Sequence, residues 1–450
     1  MKRSSLARAL ARAAAVAVLG SLLLTCPVAS PAVSGLPAAA AQKKVLQNGL
    51  TLISERDDAS GTTVLQVLIR GGKRAEPAGQ AGLAFLATRL AVEIPDEDKV
   101  QELIGLASRF QVGVKGDYSL IQVECLSPEL EATLKILTKI ILDPLFSGFR
   151  IDSAKKRAEH QGRIEEDDSI VVGHLAALRA FCGSPGYGGS IYGDKPSLRA
   201  IKGRDISDFY KRTFVGPNMI MAVSSDRPDA ADLVASSFQE LPASPPPAVE
   251  AAAFHEPPDR EISLTRETRQ AFVSLAFPLP KLTPRDYALG LLLENLLGKG
   301  PGSRLWPLRE EKKLAYTVNA VATQMTEGGI FEAYLETDKD KRPAALEALR
   351  DVLSDLARGG AGEEELQVAR TSIWASFLRE NEARAARTLN LASFEALGLG
   401  LEYYYGLRSE LDGISLAVLN EYIKHVLAPE KAVTIVIGPG TESRPAQSSS

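Results

Sequence analysis

The chain has 450 residues, enough for two or more domains with full hydrophobic cores. Its formal charge is −4, and removing the four basic leader residues Lys2, Arg3, Arg8 and Arg12 takes the mature part to −8. That balance argues against a nucleic-acid partner, which wants a basic face, and only three cysteines argue against a disulfide framework.

Residues 1–41 read as a signal peptide. A positive start is followed by an apolar run, Ala13 to Leu24, that is short for a bilayer span, and Pro27, Pro31 and Pro37 break any helix after it. Ala39-Ala40-Ala41 before Gln42 is the best cleavage site. The expected location is periplasmic or extracellular, with lipoprotein anchoring at Cys26 as an alternative, and no membrane span is expected after signal removal.

In chain order, Asn48-Gly49-Leu50 opens a strand-like run, and Val64 to Ile69 is a strand rich in branched residues leading to Gly71-Gly72-Lys73-Arg74-Ala75-Glu76. Gly82-Leu83-Ala84-Phe85-Leu86-Ala87-Thr88-Arg89 follows as a helix start. Positions 85 and 89 share one helical face, where two metal ligands could sit. Phenylalanine has no lone pair, arginine is a permanent cation, and threonine is no base near neutral pH.

Tyr118 to Cys125 is a second strand. Ile206 to Tyr210 then leads through Val215-Gly216-Pro217 into the apolar Met219 to Val223. The same helix, proline turn and strand recur at Val418 to Tyr422, Leu427-Ala428-Pro429 and Lys431 to Ile435. Tyr210 pairs with Tyr422 and Pro217 with Pro429, both 212 residues apart. A Pro/Ala-rich stretch at 242–258 reads as a linker between the halves. The second half carries strands at Phe272 to Phe277 and Ile330 to Thr337, and a helix from Ala344 to Ala357 with a leucine stripe suited to a core.

Gly298-Lys299-Gly300-Pro301-Gly302 is not a phosphate loop, because the G-K-[ST] ending is missing. Gly298, Gly300 and Gly302 suit a mobile, close-approaching substrate loop, or a plain turn before Trp306. Arg309 and Tyr316 lie seven residues apart just beyond it. A guanidinium fork and a phenol can hold a carbonyl oxygen as charge develops on it; alternatively, Arg309 pairs with Glu310 or Glu311 and Tyr316 only starts a strand.

These motifs together resemble the insulinase/pitrilysin superfamily, which includes the mitochondrial processing peptidase. N-G-L, a hydrophobic strand, G-S-R-x-E and G-L-A-H-x-x-E-H succeed one another in that family as the runs from Asn48 to Arg89 do here. Ser303-Arg304-Leu305, Leu308-Arg309-Glu310 and Leu314-Ala315-Tyr316 are similar to its S-R-L, L-R-E and G-L-x-Y signature. The resemblance places Phe85, Thr88 and Arg89 at the first-ligand, general-base and second-ligand positions. It places Gln161, counted back from the acidic turn at Glu165 to Asp168, at the third-ligand position. An amide is a poor substitute for a carboxylate on zinc, so all four positions are degenerate.

The fold implied is α+β: two tandem homologous domains at 42–241 and 259–440, each a mainly antiparallel sheet with helices packed on one face, and a disordered tail at 441–450. The function implied is that of a non-catalytic, substrate-binding subunit with no catalytic residue and no metal of its own. A partner paralogue bearing H-x-x-E-H would carry zinc in a heterodimer acting on peptides, with Arg309 and Tyr316 completing its site. A purely structural pseudopeptidase and a stand-alone peptide-binding protein are the alternatives.

Overall fold

The computed structural model describes residues 41–94, 97–183, 186–249 and 254–439. The leader up to residue 40, with Cys26, and the tail at 441–450 lie outside them. The first half runs β1 (Gln42–Val45), β2 (Thr51–Arg56), β3 (Thr62–Arg70), α1 (Leu83–Ala91), α2 (Glu97–Gly105), β4 (Arg109–Val114) and β5 (Tyr118–Leu126). It continues through α3 (Leu130–Leu142), α4 (Gly148–Asp167), α5 (Ser169–Cys182), α6 (Lys195–Ala200), α7 (Gly203–Thr213), β6 (Met219–Ser225) and α8 (Ala230–Ser237).

The second half runs β7 (Glu261–Thr265), β8 (Gln270–Leu279), α9 (Pro284–Gly298), α10 (Trp306–Glu310), β9 (Thr317–Met325) and β10 (Gly328–Asp338). Four long helices follow, α11 (Arg342–Gly359), α12 (Glu363–Glu380), α13 (Arg384–Ala396) and α14 (Leu401–Gly413), then α15 (Leu416–Val426) and β11 (Val433–Gly438).

The sheets are ordered β1-β2-β6-β3-β5-β4 and β7-β11-β8-β10-β9. β2 with β6 and β7 with β11 are parallel; every other pairing is antiparallel. Leaving β1 aside, the two orders are the same, and β6 and β11 occupy equivalent places. Each is reached from a helix through a one-turn Pro-containing 3-10 segment, at Gly216–Asn218 and Pro429–Lys431. Proline fits the first turn of such a segment because its missing N–H is not needed there.

β3 and β8 are buried along nearly their whole length rather than on alternate residues. A strand buried on both faces reads as a continuous apolar run, as T-V-L-Q-V-L-I and A-F-V-S-L-A-F do. In the first sheet, α3 covers the face bearing Leu65, Val67 and Ile69. The opposite face is covered by α13, a helix of the other half, which packs on β3 and β6.

The loan is mutual. α11 packs on β8 and β10, and α5 of the first half lies across β8, β10 and β11. There Ala177, Leu178 and Phe181 share a buried cluster with Phe272, Ile435 and Ile437. Gly173 makes the crossing possible, since a Cβ on it would sit 2.2 Å from Phe272 Cε1.

Polar groups pin α13 in place. Arg387 Nε donates to Glu55 Oε1 and Oε2 at 3.1 and 2.9 Å, and Arg387 also pairs with Asp57. Arg384 Nε donates to Asp57 Oδ2 at 3.1 Å, and Gln66 Nε2 donates to the Ala385 carbonyl at 3.1 Å. The ends of the Pro-rich stretch are docked as well. Gly216 N donates to the Pro242 carbonyl and His255 N to the Phe181 carbonyl, both at 2.8 Å.

Glu55 and Arg387 are 5% and 6% exposed, so removing one partner strands a buried charge. Arg387→Ala should therefore cost about 3–5 kcal/mol in urea unfolding. A loss no larger than that of a surface ion pair would show that the α13 latch contributes little.

Candidate functional site

The start of α1 is held by Glu76, the glutamate of the first glycine-rich motif. Its Oε1 accepts the N–H groups of Gly82 at 3.1 Å and Ala84 at 2.8 Å, satisfying donors that a helix N-terminus leaves free. Gly82 has φ +91, and a Cβ on it would lie 2.8 Å from the Tyr192 carbonyl, so the 189–193 loop closes directly over the helix start. Burial pushes the Glu76 carboxyl up to about 8, against the two N–H bonds and the nearby Lys73 ammonium, which favour the anion. Lys73 is buried too, donates to the Gly189 carbonyl at 2.9 Å, and burial holds its ammonium below the ordinary lysine value.

Phe85 is buried and meets the Tyr192 ring edge-on at 4.9 Å. Thr88 is 1% exposed and returns its hydroxyl to the Ala84 carbonyl at 2.7 Å. Arg89 is half-buried; burial lowers its affinity for the proton, and the like charge of Arg157 on α4 lowers it further. Gln161 is half-buried on α4, which packs along α1. The fold thus brings the four degenerate positions to one helix pair, and the residues there do not fit a zinc ion. Among the described residues no three His, Cys, Asp or Glu side chains converge on one point.

The histidines serve elsewhere. His160 is exposed on α4, while His174 Nδ1 lies 3.0 Å from Glu332 Oε2 and joins α5 to the second sheet. Cys125 and Cys182 are both free. Glu165, one helical turn beyond Gln161, accepts the Ser190 hydroxyl at 3.2 Å, and burial raises its carboxyl above the usual range. It borders a cavity of about 180 Å³ with Gly162, Arg179, Ser190 and Arg266. Its i, i+4 relation to Gln161 was visible in the sequence; the loop that covers it was not.

The second motif closes on itself in the same way. A Cβ on Gly298 would sit 2.1 Å from Ala320 N, so α9 ends against β9 only because that residue is glycine. Gly300 and Gly302 have φ +77 and +92 with open space around them, as a left-handed turn requires. Arg304 is fixed by a bidentate pair to Glu365, both bonds 2.8 Å, and by the Gly360 carbonyl at 2.9 Å.

Arg309 stands on α10 with its guanidinium 5.1 Å from the Trp306 ring centre and its Nε 3.4 Å from Glu310 Oε1. Tyr316 is 55% exposed, and its hydroxyl donates to Asp338 Oδ1 at 3.0 Å. Both side chains reach solvent, and each has its own partner rather than the other.

A family model described as the peptidase M16 inactive domain matches residues 200–373. Over these residues the chain is similar to the M16 inactive domain, and most of its length is similar to proteins named for that family. A Helicobacter pylori protein named as a non-peptidase homolog, YmxG, is 22% identical over 87% of this chain and 92% of its own length. A Bacillus subtilis protein named as an uncharacterized zinc protease, also YmxG, is 20% identical over 88% and 97%. The crystal structure of a peptidase M16 inactive domain from Pseudomonas fluorescens superposes with a TM-score of 0.81 at 21% identity, covering 89% of this chain and 98% of that one. That likeness shows a shared M16 fold.

Two outcomes are expected. Metal analysis of the purified mature chain should find no tightly held zinc, and one zinc per chain would refute the reading of Phe85, Thr88, Arg89 and Gln161. The second concerns pH. Glu76 keeps its proton in the folded state up to about pH 8, whereas an unfolded glutamate loses it near the ordinary value of 4.5. Its contribution is therefore full below that value and is lost as pH rises toward 8. Glu76→Gln should flatten this fall in the melting-temperature profile; an unchanged slope would remove Glu76 as its source.

Proposed function

We propose that this M16 homologue is a non-catalytic, substrate-binding subunit of an exported zinc metallopeptidase, completing the active site of a partner chain that carries H-x-x-E-H. The observation that carries the reading is the contrast between its two motifs. At the first, Phe85 and Thr88 are packed into the core and offer a metal nothing. At the second, a guanidinium and a phenol stand in solvent beside a glycine-rich turn, where an incoming chain could reach them.

The partner would hold the zinc that activates water. This chain would supply Arg309 and Tyr316 as donors to a substrate carbonyl, strongest when charge has moved onto its oxygen. Their present partners Glu310 and Asp338 are solvent-exposed, so giving them up costs little. The leader at 1–41 supports export, and the −8 charge of the mature part is consistent with a peptide rather than a nucleic-acid substrate.

The scaffold reading is favoured by the same local contacts. Arg309 stacked on Trp306 and Tyr316 bonded to Asp338 would look alike in a protein that binds no peptide. Replacement separates the two. Tyr316→Phe, which removes one hydroxyl and little packing, should lower turnover of the two-chain complex about a hundredfold, near 3 kcal/mol, with association intact. Arg309→Ala should act likewise, mainly on kcat. Full activity of both variants would leave the scaffold reading in place.

A further inference from the structure

We infer that the former metal position has become a carboxylate-binding patch, built from Arg89 of α1 with Arg157 and Gln161 of α4. The packing of the two helices places these residues together. Phe85, Ala154 and Ala158 share one buried cluster, so the Phe85 stripe of α1 faces the Ala154/Ala158 stripe of α4. Arg89 lies one turn past Phe85 on that stripe, and Arg157 and Gln161 flank Ala158 one turn apart. The helices run antiparallel, because Tyr192 meets Phe85 and lies where a Cβ on Gly162 would approach it at 3.9 Å, while Glu93 lies 3.7 Å from Arg150.

The chemistry of this cluster points to an anion. Two guanidiniums and an amide offer many N–H donors, and only the amide oxygen can accept. Arg89 is half-buried and close enough to Arg157 for the two charges to disfavour each other. The nearest carboxylate, Glu93 just beyond the end of α1, interacts with Arg89 and lies 3.7 Å from Arg150, near the start of α4. Glu159, on α4 itself, is half-exposed on another side of the helix.

No carboxylate is hydrogen-bonded to Arg89 or Arg157 among the described residues. A planar anion between the two would relieve their repulsion and accept from both forks. The mature chain's net charge of −8 opposes a polyanion, whereas one carboxylate needs only this local field. The site thus keeps the positive charge a zinc ion would have brought, now as fixed guanidinium.

The inference rests on the substrate-binding reading only for the source of the carboxylate, which a peptide would supply as its C-terminus or as an acidic side chain. Three dansyl-labelled alanine peptides test it on the mature chain without any partner: one with a free C-terminus, its C-terminal amide, and that amide carrying one glutamate. The free acid, the glutamate peptide or both should bind more tightly than the plain amide, and which of them does so identifies the source. Binding should weaken with added salt. Arg89→Gln and Arg157→Gln should each weaken it about fivefold. Arg157 is exposed, so its replacement keeps the test valid if Arg89→Gln lowers the melting temperature.

Equal binding of all three peptides, absence of binding, or an Arg157→Gln variant that binds as wild type would each overturn the inference. Carboxylate binding that persists while Tyr316→Phe and Arg309→Ala leave the two-chain enzyme at full rate would instead keep the patch and discard the subunit reading.

Discussion

Mutual covering of the two sheets is the constraint on which the rest of the molecule depends. β3 and β8 are buried along nearly their whole length, and in their own halves α3 covers one face of the first sheet and α11 packs on the second. The other face would stand in water without α13 on the first sheet and α5 on the second. Burying such surface contributes roughly 25 cal/mol per Å², so the exchanged helices supply much of what holds the halves together. The Arg387–Glu55–Asp57 network adds direction to that attraction, because guanidinium and carboxylates meet well only when α13 lies in one position.

The exchange also fixes the ground around Phe85 and Arg89. α5 leaves the second sheet at Cys182 and feeds the 186–194 loop, which turns back over α1. Tyr187 on that loop donates to Asp117 Oδ1 at 2.6 Å, while Asp117 Oδ2 accepts Thr326 N at 3.0 Å. One carboxylate therefore joins the β4–β5 turn, the loop over α1 and the β9–β10 turn. Arg74 completes the junction, with Nη1 2.9 Å from Glu327 Oε1 and Nε 3.5 Å from Asp117. The loop that closes over α1 thus also belongs to the seam between the halves.

Within this frame the two family motifs have separated in kind. In the first, Glu76 caps α1 and Gly82 admits the loop over it, while Phe85 and Thr88 are packed inside. In the second, Gly298 and the Arg304–Glu365 pair fix the turn, while Arg309 and Tyr316 remain at its surface. The first motif is thus packed and the second exposed, the contrast on which the proposed function rests. The carboxylate patch would add a second point of hold on the same substrate class.

What the sequence determined by itself was whatever depends on residue type and short spacing. Phe85 and Arg89 offer a zinc ion no ligand atom wherever they fall, since no neighbour can give phenylalanine a lone pair or arginine an acceptor. Branched and aromatic runs located β3, β5, β8 and β10, and the 212-residue recurrence of tyrosine and proline found the repeated helix–turn–strand. Tertiary structure alone decided that α5 and α13 change sheets, because an apolar helix face carries no label for the sheet it will cover. It alone set Glu76 as a buried cap, Arg89 against Arg157, and Arg309 and Tyr316 on separate partners. Each of these depends on contacts between residues far apart in the chain, and local periodicity cannot encode them.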